Sequence, residues 1–486
     1  MSRRFKWLVL LALAMPAGLL ASEQSELERS VGQLTQVLAT LEQRFVDPVD
    51  AEAALFEGAM PAMVRNLDPF SSFLDPDQFE SLREMQRGTE KGFGAVLWVK
   101  DGSVDVLQTL EESPSARAGV SPGDEIVGMN GYWLAELNMD QLVAVLSEAR
   151  QREADLLVKR PQFSRLIPLK LTPAELADPS VQRRFFPQPG IGYVRVANFE
   201  AGTDSELREA IEALGGHDLK GLVIDLRRNP GGVVEAAVRT LTLFLEPDQR
   251  ILWIEGREGP KEEVRTPAGE PYRFPLSVLV DSETASAAEL VAGALQDHGR
   301  ATLVGGHSFG KGLVQSVFEL SGGAGLALTT ARYLSPEGRT IQRPIGKCGD
   351  FQLSPCGEDA EAAVRGGIEP DVFAVRRYTP FQFAMKASDS FLDFAKVYVL
   401  DGRAIDEGFN PSSEMLDEFQ LFLSQRGIRV TLAEWTSALE FIRTHLQQEI
   451  FNLTLGVEKG DQVELRSDPT VLAAIEALTS AGGASR

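Results

Sequence analysis

Three short segments carry residue types that could do chemistry together. The first, Asp281-Ser-Glu-Thr-Ala-Ser286-Ala-Ala-Glu289, follows the apolar run Leu276–Val280. Ser286 therefore stands where a strand passes into a helix through small residues. Small neighbours let a substrate backbone approach the hydroxyl, and a helix start offers unpaired amide N–H groups to an oxyanion. An ordinary helix N-cap, a role that serine favours, fits the same residue. The second segment, Arg227-Arg228-Asn229-Pro230-Gly231-Gly232, joins a buried-looking strand to a helix. Paired glycines let the backbone turn and present N–H groups to a ligand, so an oxyanion hole and a plain turn both fit. The third centres on Lys311, between two glycines just before a strand. Gln315 is four residues on, on the same face of an extended chain. A lysine acts as a general base only if its pKa falls from about 10.4 towards neutrality, and a three-unit drop costs roughly 4 kcal/mol. Such a base needs a dry, organised pocket; an exposed lysine beside a turn is the plain alternative.

Other chemistries find less support. The four histidines, His217, His298, His307 and His445, form no His-Glu-x-x-His and no ligand-spaced cluster with Cys, Asp or Glu. No metal or cofactor is expected. Gly306-His307-Ser308-Phe309-Gly310 matches the G-x-S-x-G elbow, which requires a helix after it. Here the following run, Gly312-Leu-Val-Gln-Ser-Val-Phe-Glu, looks like a strand. Gly305 to Lys311 also starts like a phosphate-binding loop, but Gly312 occupies the place of the magnesium-holding Ser or Thr. Both read as chance matches. Cys348 and Cys356, the two cysteines, are eight positions apart and would close a small disulfide loop in an exported protein.

The elements that must position these segments alternate. Strand Ile191–Phe199 leads to Thr203-Asp-Ser-Glu206, a capping box that opens a helix. Strand Gly221–Leu226, helix Val233–Leu245, strands Ile251–Ile254 and Leu276–Val280, and helix Ser286–His298 follow. The alternation predicts an α/β core with parallel strands. The later runs Ala301–Val304, Leu313–Leu320 and Leu326–Tyr333 have no helices between them, so a mixed sheet is expected. Upstream, Glu23 to Glu90 reads as helical, and about 80 residues from Gly92 read as a small α+β module with a helix near Met139–Leu146. Beyond Tyr378, Phe391, Leu392, Ala395, Leu416, Phe419 and Leu423 form helical stripes, and Thr431 with Glu434 makes another capping box.

The amino terminus is basic, then apolar from Trp7 to Leu20, with small residues at Ala17 and Ala21. This pattern predicts a secretory signal cleaved after Ala21, hence an exported protein, periplasmic in a bacterium; an uncleaved signal would leave it membrane-associated. The net charge of −22 argues against a phosphate-binding surface, so no nucleic-acid partner is expected.

Taken together, the ordered blocks resemble the carboxyl-terminal processing peptidases, or tail-specific proteases. The blocks are Leu67-Asp-Pro-Phe-Ser-Ser-Phe-Leu74, Asp225-Leu-Arg-Arg-Asn-Pro-Gly-Gly232, Thr284-Ala-Ser-Ala-Ala-Glu289 and Gln296-Asp-His-Gly-Arg300. Phe309-Gly-Lys-Gly-Leu-Val-Gln315 and Gly367-Ile-Glu-Pro-Asp371 complete the series. The resemblance implies a multidomain α/β protein: a mixed-sheet serine protease core of the crotonase/ClpP-like type with an inserted PDZ domain. Its expected parts are a signal (1–21), an amino-terminal helical region (22–88), the PDZ domain (89–173), the protease core (174–378) and a helical carboxyl-terminal region (379–486).

By the same resemblance Ser286 is the nucleophile, Lys311 its base and Gln315 the residue that orients the lysine. A Gly231 or Gly232 amide and that of Ala287 would form the oxyanion hole, with Asp297 in support. Gly92, Phe93, Gly94 and Ala95 look like the PDZ carboxylate loop, and Leu142 and Leu146 would line the pocket for the last side chain. The implied activity is a serine endopeptidase that cuts proteins near apolar carboxyl termini. The implied partners are such proteins, an activating adaptor and, by analogy, a second copy bound through the carboxyl-terminal helices. The rival readings are an idle PDZ-type peptide-binding scaffold and an esterase using Ser308. Phe70 departs from the His common in its block.

Overall fold

The computed structural model describes residues 26–86, 89–100, 102–161, 163–177, 179–344, 366–400 and 402–483. The expected signal and the Cys348/Cys356 pair lie outside the described residues. The chain divides into two compact units; the described parts of the smaller are 26–79 and 315–329.

In the smaller unit a helix covers 26–44, and a second helical stretch ends at Met60–Arg65. The helical reading of this region is interrupted at Asp68-Pro69, and a strand that it did not include follows. The Asp68 carboxylate accepts the N–H groups of Phe70 (2.8 Å) and Ser71 (2.7 Å), which turns the chain. Strand Ser72–Leu74 follows and pairs antiparallel with Gly325–Ala327.

The larger unit is built on a six-stranded sheet. Its order is Val181–Gln188, Ile191–Val196, Gly221–Asp225, Leu276–Val280, Thr302–Gly305 and Val372–Phe373. The first pair is antiparallel and every later pair parallel. The sheet is mixed, as expected, but the antiparallel member is the unforeseen strand Val181–Gln188. Strands Gly221–Asp225 and Leu276–Val280 are buried at every position. Continuous burial means that both faces are covered. Helices Thr203–Ala213, Val234–Leu241 and Ala287–Asp297 cover one face.

The other face is covered from the far end of the chain. Tyr193, Val223, Leu279 and Val304 pack against Val471, Ala474, Ile475 and Leu478 of helix Pro469–Gly483. The carboxyl-terminal region is therefore not a wholly separate helical part; its last helix is a layer of the core. Helices Ser390–Leu400 and Ser413–Gln425 bury Phe391, Leu392, Ala395, Leu416, Phe419 and Leu423, so these stripes serve internal packing. The capping box at Thr431 and Glu434 is formed. The one expected at Thr203 is not. Glu206 instead accepts the Val181 N–H (3.0 Å), and Thr203 Oγ accepts that of Glu200 (2.8 Å). The side chains are drawn to the neighbouring strand and its loop.

Residues 89–177 form the small module. Its antiparallel sheet runs Ala95–Lys100, Ser103–Thr109, Glu125–Met129, Ala154–Lys159, Ile167–Leu171, with Ala95–Lys100 at one edge. Helix Met139–Ala149 is opened by a capping box from Asn138 and Gln141. Strand Thr89–Gly92 pairs with Ala174–Ala177, which carries the module past the expected boundary at residue 173. Among the described residues no helix is long and apolar enough to cross a membrane.

If helix Pro469–Gly483 is a core layer, Ile475→Ala lowers unfolding stability by about 2–5 kcal/mol in a urea titration, the range for buried large-to-small changes. A loss below about 1 kcal/mol, typical of surface substitutions, would separate the helix from the core.

Candidate active site

Ser286 follows strand Leu276–Val280 and precedes helix Ala287–Asp297. Its backbone has φ 56° and ψ −121°, a region that residues with a Cβ rarely occupy. Two contacts hold it there. Its N–H donates to Glu289 Oε2 (3.0 Å), and its carbonyl accepts the Tyr333 hydroxyl (2.7 Å). The residue is half-buried.

The same two side chains hold Lys311. Its N–H donates to Glu289 Oε2 (2.7 Å), and its carbonyl lies 2.5 Å from the Tyr333 hydroxyl. One carboxylate oxygen thus receives both amides, and one hydroxyl serves both carbonyls. The backbones of Ser286 and Lys311 are brought together by this double clamp.

Glu289 also accepts the Gly310 N–H (2.7 Å) and the Ser308 hydroxyl (2.5 Å) on its other oxygen. The side chain is inaccessible to solvent. Burial pushes its carboxyl above the ordinary value, and the four donors oppose that rise. Burial, with the Glu289 charge nearby, raises the Tyr333 phenol well above its usual range, so the hydroxyl stays protonated and donates.

Gly231 closes against the serine. A Cβ there would lie 2.7 Å from Ser286 Cβ and 2.9 Å from the Ala287 nitrogen, at φ +100°. The Gly231 N–H is already donated to Asn229 Oδ1 (2.8 Å). Of the expected amide donors, that leaves Gly232, which is exposed, and Ala287, the first helical residue, whose N–H has no preceding turn to meet. Asn229 is fully buried. It also donates to the Val196 carbonyl (2.8 Å) and accepts the Ala285 N–H (2.9 Å) on its own carbonyl.

The remaining expected residues are placed as follows. Asp297 ends the serine's helix; it accepts the Ser335 hydroxyl (2.6 Å) and the Glu337 N–H (3.1 Å) and pairs with Arg339. It supports a loop rather than reaching Ser286. Gln315 belongs to the smaller unit, where its side-chain amide donates to the Phe70 carbonyl. Ser308 is buried; besides donating to Glu289 it accepts the Ile368 N–H (2.6 Å), and a strand, Leu313–Glu319, follows instead of a helix. Among the described residues no group of His, Cys, Asp or Glu could hold a metal ion.

In the module, Gly92, Phe93, Gly94, Ala95 and Leu146 line a cavity of about 430 Å³. Leu142 does not: it is fully buried in the module's own core beside Val104 and Leu134. One helical turn separates a core position from a groove position. Glu289 and Tyr333 were not foreseen as site residues. Ser286-x-x-Glu289 has capping-box spacing, which is a usable signal; Tyr333 arrives from a distant strand with no local mark.

Comparison with known proteins follows the same lines. Peptidase family S41 matches residues 190–349. A carboxyl-terminal-processing protease of Synechocystis sp. is 34% identical over 297 residues, covering 59% of this chain and 68% of that protein. One from Picosynechococcus sp. is 35% identical over 288 residues, covering 58% and 68%. The carboxy-terminal processing protease CtpB of Bacillus subtilis is 28% identical over 333 residues, covering 68% and 69%. The core just described is thus that of a serine-type peptidase. Within that class, the chain belongs to the carboxyl-terminal processing proteases.

Glu289→Gln would turn an amide NH2 towards groups that are themselves donors. It is expected to cost about 3 kcal/mol in stability, as charged hydrogen bonds do, and roughly 100-fold in kcat through misplacement of Ser286 and Lys311. Wild-type stability and rate in this variant would show that the clamp does not hold Ser286 and Lys311 in place.

Proposed function

We propose that the chain is an exported serine endopeptidase that cuts protein substrates near their carboxyl termini with a Ser286/Lys311 dyad. The observation that carries this reading is the double clamp by Glu289 and Tyr333 on a strained, half-buried serine and a lysine. Strain of this kind, costing about 1–3 kcal/mol, gathers where function requires it. In the reaction the neutral Lys311 amine takes the Ser286 proton as Oγ attacks the scissile carbonyl. The oxyanion turns towards the N–H groups of Gly232 and Ala287. The protonated lysine then gives its proton to the leaving amine, and water repeats the sequence to release the acyl product.

The core is of the crotonase/ClpP-like type and the module is a PDZ domain. Supporting this is the cavity bounded by Gly92–Ala95 and Leu146 beside the edge strand Ala95–Lys100. A protein tail would add as a strand along that edge, its carboxylate on the loop amides and its apolar last side chain against Leu146. The roles of Gln315 in orienting the lysine, of an activating adaptor and of a homodimer rest on the resemblance alone. Export rests on the basic and apolar amino-terminal sequence.

Ser286→Ala and Lys311→Arg, whose guanidinium stays charged, are each expected to lower cleavage of an apolar-tailed protein by about 1000-fold or more. Ser308→Ala keeps measurable hydrolysis. Activity that survives the first change and not the last would transfer the chemistry to Ser308. Tight tail binding with no cleavage by the wild type would make the protein a scaffold. For the PDZ reading, Leu146→Asp raises KM for the apolar-tailed protein by about tenfold, the worth of a lost apolar contact. Cleavage of a short tail-less peptide stays unchanged; equal effects on both substrates would disconnect the cavity from tail capture.

A further inference from the structure

The turn that brings Gly231 against Ser286, and continues into Gly232, begins at Arg227. The residues on either side of this arginine dock on the serine's own loop. Thr284 Oγ donates to the Leu226 carbonyl (2.8 Å), and the Arg228 N–H donates to Asp281 Oδ1 (2.9 Å). The Arg227 side chain leaves in the other direction. It forks onto Asp225, Nε to Oδ1 at 3.0 Å and Nη2 to Oδ2 at 2.7 Å, and Asp225 is fully buried and also accepts the Tyr193 hydroxyl (2.6 Å). Its remaining arm, Nη1, donates to Asp468 Oδ2 at 3.0 Å.

Asp468 lies at the start of helix Pro469–Gly483, and its two oxygens have separate tasks. Oδ1 accepts the N–H groups of Thr470 (2.8 Å) and Val471 (3.3 Å), which caps the helix. Oδ2 receives Arg227, with Arg376 Nη2 3.8 Å away; Arg376 pairs in turn with Glu464 (3.3 Å). Signs therefore alternate from Asp225 through Arg227, Asp468 and Arg376 to Glu464. The side chains of Arg227 and Asp468 are only 17% and 11% exposed, so water replaces neither partner well.

We propose that Asp468 is a positioning residue for catalysis: by holding Arg227 from the carboxyl-terminal helix, it fixes the Gly231-Gly232 turn, whose first glycine closes against Ser286. This rests on the reading that Ser286 is the nucleophile and that this turn lines its oxyanion. Asp468 touches neither substrate nor reacting atoms. It acts through the arginine, whose backbone neighbours set the height of the serine loop. A carboxylate in the last 20 residues of the chain thereby conditions a site whose chemical residues, Ser286 and Lys311, lie 182 and 157 positions earlier.

The test is the full chain with Asp468→Asn. Asparagine caps helices as well as aspartate does, but it points an NH2 at the guanidinium. The expected result is a fall in kcat of about tenfold from a slightly displaced oxyanion donor, with KM for an apolar-tailed protein unchanged. A peptide boronate, which forms a tetrahedral adduct on the serine, should bind about tenfold more weakly for the same reason. Asp468→Glu should recover part of both losses. Thr470→Ala is the structural control: it removes the Thr470 hydroxyl's bond to the Ala374 carbonyl (2.9 Å) at the same helix start without touching Arg227. It should lower thermal stability and leave kcat unchanged. The proposal fails if Asp468→Asn keeps wild-type kcat and boronate affinity, or if Thr470→Ala lowers them equally. Either failure leaves the nucleophile assignment standing provided Ser286→Ala is inactive. An active Ser286→Ala would instead overturn the reading beneath it.

Discussion

Glu289 is a carboxylate with no access to water, which is an expensive state for a charge unless every lone pair finds a donor. Its four donors are the Ser286, Gly310 and Lys311 amides and the Ser308 hydroxyl. Three are backbone groups in turns, where neither helix nor strand would satisfy them. The dependence is mutual: without the carboxylate the amides are orphaned, and without the amides the charge is stranded. Because the donors come from two loops, this arrangement fixes one loop against the other. Tyr333 repeats the operation on the carbonyl side. The unfavourable φ and ψ of Ser286 persist because the surroundings over-determine them.

The loops meet because of the sheet. Gly221–Asp225, Leu276–Val280 and Thr302–Gly305 are consecutive neighbours and parallel, so the segments that leave their carboxyl ends emerge side by side. The first ends in the Gly231-Gly232 turn, the second in Ser286 and the third in Lys311. Sites at the carboxyl edge of parallel strands are the general rule for such sheets.

What the sequence disclosed follows from range. Strand Leu276–Val280 and helix Ala287–Asp297 were readable because a buried strand and a helix leave local patterns. Ser286 and Lys311 were ambiguous singly and became convincing only as members of an ordered series. Glu289, although quoted in that series, could not be assigned its task, because three of its four donors lie about 20 residues away in another loop. Strand Val181–Gln188 was missed because Arg183 and Arg184 interrupt its apolar pattern. Thr203 and Glu206 had capping spacing, yet neighbouring residues offered those side chains other partners. Leu142 and Leu146 share a helix face on paper, and only the packing of the module separates core from groove.

The family match ends at residue 349, but the physical core does not. Its sheet needs Val372–Phe373 as its last strand and helix Pro469–Gly483 as its second layer. Stripped of that helix, Tyr193, Val223, Leu279 and Val304 would meet water, at about 25 cal/mol for each Å² of apolar surface exposed. The uncovered face would also hold Asp225, whose charge is compensated by Arg227 in an environment that the helix keeps dry. Water there would screen the ion pair and loosen the arginine at the root of the Gly232 turn. The helix that completes the hydrophobic core therefore also sets the dielectric in which the Gly231-Gly232 turn is held, which ties the geometry of that turn to the packing of the core.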